Sequence, residues 1–317
     1  MNTKATVLFV DDEERIVNLL KIMFRSTYNV LTATNGDEAL AIIASQPVHV
    51  IVSDQRMPEM MGIDLLTRAR SLSPSTMRVL LTGYSDLAAI VGSVNEAEVF
   101  RFLNKPWNQE EIKTIIGDAA AIAMASPMAA AVKTPVGAAT GAIANAVPSG
   151  QRRGVLVIDD NEFDRSWVKK TLESAYAMHT AGSIQDALKV LEQHEIAVIV
   201  AEATVNGDTT SGFLNVLKQQ YPLITTVMLS GAADSDLVIK LINQAQICRF
   251  SPKPIKAGAF TLAVRAAMAV HEQFRENPKL MARHKVARST DAESATIASS
   301  LSRTLASLRA RFSFFSN

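Results

Sequence analysis

The chain carries one long pattern twice, at a separation of 148 residues. Val7-Leu8-Phe9-Val10-Asp11-Asp12 returns as Val155-Leu156-Val157-Ile158-Asp159-Asp160. Val79-Leu80-Leu81-Thr82-Gly83 returns as Val227-Met228-Leu229-Ser230-Gly231, and Phe102-Leu103-Asn104-Lys105-Pro106 as Phe250-Ser251-Pro252-Lys253-Pro254. Whatever one copy folds into, the other must fold into as well. A repeat of this length is a whole domain, not one link of a solenoid. A chain of 317 residues has room for two ordinary domains, a linker and a tail. The copies differ at defined places. Glu202 stands where the first copy has Asp54, and Gly212 matches Gly62 at an offset of 150, so the loop after the third strand is expected to be longer in the second copy. Pro74 and Pro222 restore the register.

In the first copy, residues 3–126, short runs rich in Val, Ile, Leu and Phe occupy Thr6–Val10, Val48–Ser53, Arg78–Thr82 and Val99–Leu103. They read as buried parallel strands, and Tyr28–Thr32 as a more exposed one. Between them Ile16, Leu19, Leu20 and Met23 fall at helical spacing, as do Ala39, Ile42 and Ile43. Asn108 and Glu111 have the spacing of a helix N-cap box ahead of the stripe Ile112, Ile115, Ile116 and Ala119. Strand and helix alternate five times, which predicts an open, doubly wound α/β domain. The second copy, residues 154–274, repeats the order, with strands expected at Val155–Ile158, Ala177–Thr180, Ala197–Ala201, Thr225–Leu229 and Cys248–Phe250.

Residues 127–153 hold Pro127, Pro135, Pro148, three glycines and many alanines, which is the composition of a flexible linker. The tail, residues 275–317, has eight Lys/Arg against three Asp/Glu. Thr290 and Glu293 form a capping-box pattern, and Ile297, Leu301, Leu305, Leu308 and Phe312 follow at helical spacing. This part of the tail is expected to be one amphipathic helix with a basic side. It could pack back on the second copy, dock a partner, or touch anionic lipid or nucleic acid.

Three further properties bound the function. The net charge of +1 favours neither an acidic nor a basic partner. The lone Cys248 rules out an internal disulfide and reads as a core thiol of a protein kept in a reducing compartment. No long apolar run precedes the first acidic residues, and the Ala-rich stretch 119–132 is broken by Pro127 and too short to span a bilayer, so neither a secretory signal nor a membrane span is expected. The expected location is the cytoplasm. The five histidines show no ligand spacing, and His271 and His284 read as surface residues.

In an open α/β sheet, ligands bind beyond the carboxyl ends of the strands. There the first copy places Asp11, Asp12, Asp54, Thr82 and Lys105. Burying three carboxylates side by side is costly unless a cation shares the site. Mg²⁺, a hard ion that takes oxygen ligands, suits them, and Lys105 adds a further positive charge. Such a site suits phosphoryl transfer, because a carboxylate can attack phosphorus and hold the group as an acyl phosphate.

The set Val10-Asp11-Asp12-Glu13, Asp54-Gln55-Arg56-Met57-Pro58, Thr82-Gly83 and Lys105-Pro106 resembles the receiver domain of bacterial response regulators. The resemblance implies two flavodoxin-like (βα)5 domains and a phosphoryl acceptor at Asp54, charged by a histidine kinase or phosphotransfer protein. It further implies that Asp12, Asp54 and the Arg56 backbone carbonyl hold Mg²⁺ directly, with Asp11 acting mainly through water. Thr82 and Phe102 would form a switch pair, in which a Thr–phosphoryl bond is coupled to an inward turn of the ring. Arg56 and Tyr84 occupy positions that tune phosphoryl lifetime in the family.

The second copy resembles the family with departures. Asp159, Asp160, Ser230, Phe250 and Lys253 match, but the acceptor position holds Glu202, and Val205-Asn206 replaces the Met-Pro after Asp54. Glu is longer than Asp by one methylene, roughly 1.5 Å, and in-line attack tolerates little misplacement. This copy is therefore expected to be a pseudo-receiver whose acidic cluster either binds a cation or is neutralised by Lys253. Glu202 as an imitation of a phosphorylated state is an alternative, although a carboxylate has less charge and fewer acceptors.

The expected whole is a non-enzymatic signalling protein whose output runs through protein–protein contact: with the second copy, with another chain in a homodimer, or with a separate target. The alternatives are a nucleic-acid-binding regulator working through the basic tail, which no helix-turn-helix, zinc or RNA-binding signature supports, and an Asp-nucleophile phosphatase. The haloacid dehalogenase type of phosphatase needs Asp-x-Asp after the first strand, and Asp11-Asp12 lacks that spacing.

Overall fold

The computed structural model describes residues 4–83, 93–125, 152–231, 235–278 and 280–281. The chain divides into two compact units, Met1–Ser149 and Gly150–Asn317. The first is built on a five-stranded parallel sheet of β1 (Thr6–Val10), β2 (Asn29–Ala33), β3 (Val50–Asp54), β4 (Met77–Thr82) and β5 (Arg101–Asn104). Its strand order is β2-β1-β3-β4-β5, the flavodoxin-like order, which reverses direction between β1 and β3. The central strands are apolar on both faces because helices cover both, whereas β2 at the edge is only partly buried.

Helices α1 (Glu14–Phe24), α2 (Gly36–Ser45) and α3 (Gly62–Leu72) make crossovers between strands, and α4 (Gln109–Ala125) follows the last strand and packs back on the sheet. On one side Phe9, Val50, Val52, Val79 and Leu81 meet Leu20 and Phe24 of α1 and Ile112 and Ile116 of α4. Phe9 and Phe24 stack there with ring centroids 5.3 Å apart. Local signals start the helices. Asn35 Oδ1 accepts from the Glu38 amide at 2.9 Å, and Glu38 returns the contact by accepting from the Thr34 amide at 2.8 Å. Asn108 Oδ1 accepts from the Glu110 amide at 2.8 Å, the N-cap expected at α4. Between β4 and β5 the described chain is a π-helical turn, Ser93–Ala97. Tyr84 and the rest of the crossover that the alternation predicts lie outside the described residues.

The second unit repeats the plan. A parallel sheet in the order β12-β11-β8-β6-β7 joins β6 (Gly154–Ile158), β7 (Ala177–Ala181), β8 (Ile196–Glu202), β11 (Thr225–Ser230) and β12 (Arg249–Pro252). Its helices are α5 (Glu162–Leu172), α6 (Ile184–Gln193), α7 (Ser211–Gln220), α8 (Ser235–Ala245) and α9 (Ala257–Glu276). After the third strand the chain folds a small antiparallel hairpin, β9 (Thr204–Val205) and β10 (Asp208–Thr209), turning through Asn206 and Gly207 at positive φ. It is not the insertion expected from the Gly62–Gly212 match: the loop is one residue longer than in the first unit, α7 is one residue shorter than α3, and both helices end in the 148 register, at Leu72 and Gln220.

Three expectations shift. Helix α9 runs through Glu276, two residues past the boundary read from the sequence, before a short 3₁₀ turn. His271 is a core residue, not a surface one: it is 4% exposed, and Nδ1 lies 2.9 Å from the Leu223 carbonyl oxygen. Cys248 lies just before β12, partly buried against the core, and not inside the strand. The linker between residues 126 and 151, His284 and the amphipathic tail stretch lie outside the described residues.

One close approach fixes how α3 meets the sheet. A Cβ on Gly62 would stand 2.1 Å from the Asp54 carbonyl oxygen, so only glycine lets the helix start against the end of β3. Gly117, inside α4, would meet only the Tyr28 hydroxyl at 3.8 Å. Gly62→Ala is expected to destabilise the first unit by about 1–3 kcal/mol. Gly117→Ala is expected to stabilise it by about 0.5–1 kcal/mol. Urea unfolding followed by circular dichroism checks both signs.

Candidate functional site

The carboxyl ends of β1, β3, β4 and β5 bring the predicted residues of the first unit together around Lys105. Asp54 ends β3, and Asp11 and Lys105 follow β1 and β5. The Lys105 ammonium is 2.9 Å from Asp11 Oδ2 and also pairs with Asp54 Oδ1. Each carboxylate uses its second oxygen locally: Asp11 Oδ1 accepts from the Glu13 amide at 3.0 Å, and Asp54 Oδ2 from the Arg56 amide at 2.8 Å. Both are buried, yet the Asp54 side chain keeps 7% of its surface open at the mouth. Behind it Gln55 anchors the loop, its amide donating to the Leu81 carbonyl at 2.9 Å and its Oε1 accepting from the Ile63 amide at 3.1 Å.

Two carboxylates share one ammonium, and that imbalance sets the electrostatics. Burial raises the Asp54 carboxyl above its ordinary value, Lys105 pulls it back, and Asp11 pushes it up again; the net direction is up. Burial alone would lower Lys105, but hydrogen bonds to Asp54 and Asp11 outweigh it and hold the ammonium above its usual range.

Asp12 differs from expectation. It is exposed, so the buried carboxylates of this site are two and not three. It lies two residues past the end of β1, after the buried Asp11. Thr82 is buried at the end of β4, its hydroxyl donating to the Gly83 carbonyl at 3.2 Å, and the Lys105 amide donates to the Thr82 carbonyl at 2.8 Å. Phe102, in register with Leu80, is fully buried, so its ring already lies inside the core. Arg56 is exposed.

The donor set suits a hard divalent cation. Asp11, Asp54 and the exposed Asp12 offer only oxygen, and Mg²⁺ keeps several waters and needs only one or two carboxylates from the protein. Among the described residues no group of three or more His, Cys, Asp or Glu side chains is gathered closely enough to hold a metal ion by itself.

The second unit gathers the corresponding residues and closes them on themselves. Lys253 lies 2.8 Å from Asp159 Oδ2, 2.6 Å from Glu202 Oε2 and 2.8 Å from Asp164 Oδ2. Burial would lower this ammonium, but its bonds to Asp159, Asp164 and Glu202 outweigh that and raise it. Glu202 Oε1 accepts from the Ala203 amide at 2.9 Å, and Asp160 Oδ2 from the Asn206 amide of the hairpin at 2.8 Å. Ser230 is buried and its carbonyl accepts from the Lys253 amide at 2.9 Å, while Phe250 is in the core. Lys253 thus pairs with three carboxylates, a cluster that keeps an excess of negative charge.

Asp164 was missed by the sequence reasoning. It lies in the first turn of α5, where the first copy has Ile16, and that exchange of an apolar residue for an acid was the available signal. Also missed were His179 and His194, far apart in sequence but stacked with ring centroids 4.0 Å apart.

Comparison with known proteins agrees with the two-unit geometry. The sequence model of the response regulator receiver domain matches residues 7–117 and again 155–265. The hydrogenase transcriptional regulatory protein HoxA of Cupriavidus necator is 41% identical over 104 residues, which is 33% of this chain and 22% of that protein. The DNA-binding transcriptional regulator NtrC of Salmonella typhimurium is 32% identical over 114 residues, 36% of this chain and 24% of that protein. The chain thus spans about a quarter of the length of these curated relatives. Among solved structures, the signal receiver domain of an HD domain-containing protein from Pseudomonas fluorescens is 33% identical, covers 39% of this chain and 99% of its own, and has a TM-score of 0.38. With both matched segments falling on the two parallel sheets described above, the chain belongs to the response regulator receiver domain family and carries that domain in tandem.

Proposed function

We propose that the first receiver accepts a phosphoryl group on Asp54 from a histidine kinase or phosphotransfer protein and passes the signal on by protein–protein contact. The observation that carries this reading is the Asp54 carboxylate, held at the rim of the sheet beside a lysine it shares with a second buried acid. An Asp54 oxygen attacks phosphorus, the new O–P bond forms as the donor's P–N bond breaks, and the leaving imidazole takes up a proton. The raised basicity of Asp54 favours attack. Lys105, already paired with the carboxylate, then faces the charge carried by the phosphoryl oxygens. The Thr82 hydroxyl, at the adjacent strand end, is placed to donate to the same group.

Asp11, Asp12, Asp54 and the Arg56 carbonyl are the groups that would hold Mg²⁺, which when bound supplies further neutralisation of phosphoryl charge. Phe102 is already buried, so the ring has no further inward turn to make. The switch in this chain would then work by fixing an inward ring through the Thr82 bond. No helix among the described residues is long and apolar enough to cross a membrane. The matched relatives are named as transcriptional regulators, but the resemblance covers only their receiver portion, so the output proposed here does not borrow theirs.

The second receiver is proposed as a non-phosphorylated partner module. Glu202 reaches Lys253 with one oxygen and binds backbone with the other, and Asp160 is engaged by the hairpin. What sets this copy apart from the first is the longer Glu202 side chain and a third acid, Asp164, on the shared lysine.

Asp54→Ala is expected to abolish labelling by acetyl phosphate, while Glu202→Ala leaves it at the parent level; radiolabel in Asp54→Ala at the parent level would sink the assignment. A second expectation concerns pH. Because the folded protein holds the Asp54 carboxyl above its ordinary value, its ionised form costs stability, a cost absent at acid pH and growing as pH rises through the folded pKa. In EDTA near neutral pH, Asp54→Asn should therefore melt roughly 2–4 °C above the parent. The gap should close as pH falls towards the ordinary carboxylate range, about 4. Mg²⁺ at a hundredfold excess over its dissociation constant should stabilise the parent by about 2.7 kcal/mol and Asp54→Asn by far less. Scanning calorimetry across pH, with and without the ion, measures all three.

A further inference from the structure

Phe163 is the most exposed large apolar side chain among the described residues, at 87%. It stands in the first turn of α5 and lines an open cleft of about 620 Å³ with Asp164, Trp167, Lys253, Pro254 and Ile255. An aromatic side chain left in water costs the fold on the order of 1.5–3 kcal/mol of unrealised burial. In the first receiver Arg15 stands in place of Phe163, while Trp167, Pro254 and Ile255 have the apolar counterparts Leu19, Pro106 and Trp107. The exposed ring is therefore particular to the second copy, and the phosphoryl chemistry proposed above makes no use of it.

We propose that the cleft is filled by the end of this same chain: the apolar stripe of residues 297–315 lies back along α9 and seats Phe312 and Phe315 against Phe163, Trp167 and Ile255. Three observations carry this. The first is length. Helix α9 begins at Ala257, two residues after Ile255, and its 20 residues carry the chain about 30 Å from the cleft. A helix over residues 290–312, started by the Thr290–Glu293 box, returns about 34 Å, enough to bring its far end back to the start of α9. The described 3₁₀ turn after α9, with the Leu280 amide donating to the Asn277 carbonyl at 3.0 Å, is where the chain leaves that axis.

The second is the path. Ala259, Leu262, Ala266 and Ala269 make an uncharged strip on the solvent side of α9, flanked by the exposed Arg265, and Leu262 is 62% exposed. Small side chains at that spacing let a second helix approach closely. Phe315 falls three residues after Phe312, so on helical spacing it prolongs the stripe Ile297, Leu301, Leu305, Leu308 and Phe312. The third is charge. Asp160 and Glu162 are exposed next to Phe163 and the tail carries Arg309 and Arg311 beside its aromatic end, while Asp164 is already paired with Lys253 and the exposed Lys256 follows Ile255.

The test uses the full-length chain with the photoreactive residue p-benzoylphenylalanine in place of Phe315, irradiated as an equal mixture of light and heavy-isotope protein. Adducts to peptides holding Phe163–Trp167 or Pro254–Ile255, formed within single chains at a yield independent of concentration, are expected. Phe163→Asp, at a position too exposed to be needed for folding, should cut that yield at least about fivefold. Adducts only between light and heavy chains would assign the cleft to a second copy and overturn the proposal. So would adducts confined to other peptides, or a yield unchanged by Phe163→Asp.

Discussion

Carboxylates that share a dry strand end must be given positive charge, and both halves of this protein are organised around that requirement. The doubly wound sheet collects the ends of β1, β3 and β5, and their counterparts in the second unit, in one place. An unpaired acid there would cost several kcal/mol. A lysine from the loop after the last strand answers it in each unit, through a Lys–Pro pair whose peptide bond is cis in both. Everything chemical in the chain is a variation on how many acids that lysine must serve.

In the first unit it serves two, and they remain at an accessible rim. In the second it serves three, the additional one coming from α5, and a hairpin amide engages a fourth acid from outside. Counted as charge, the second cluster is the more negative. Asp54 and Glu202 each give one oxygen to the lysine and one to a backbone amide, Asp54 to Arg56 two residues on and Glu202 to Ala203 next in the chain.

The strands, the five-fold alternation and the strand-end residues were legible in the sequence because short Val/Ile-rich runs and acids at their ends are local patterns. Asp164 was not legible. Its meaning depends on Lys253, which only the closed fold brings near it. Asp12 was misjudged because sequence places it beside Asp11 without saying which of two adjacent side chains turns inward. His271 read as polar surface, although helical phase puts it on the same face of α9 as Val264 and Phe274. The match of Gly62 with Gly212 suggested added length, but the helix ends at Leu72 and Gln220 keep the 148 register, and neither the hairpin nor its hold on Asp160 was legible. Duplication also hides rewiring. Glu98 and Gln246 keep nearly the same left-handed backbone, φ 48 and 50, yet Arg70 pairs with Glu98 at 2.7 Å while its counterpart Lys218 turns inward.

That inward lysine has a thermodynamic side. Lys218 gives its protons to the carbonyls of Pro222 and Ile224 at 2.9 and 3.0 Å, and burial lowers its pKa to about 8, against a small opposing effect from Cys248. An amine held below its free value favours the neutral form in the native state. Native stability from this group is therefore lowest in acid and grows as pH climbs through about 8 towards the free-lysine range. The second unit thus carries, in a corner remote from any phosphoryl chemistry, a proton-release equilibrium with its midpoint just on the alkaline side of neutrality.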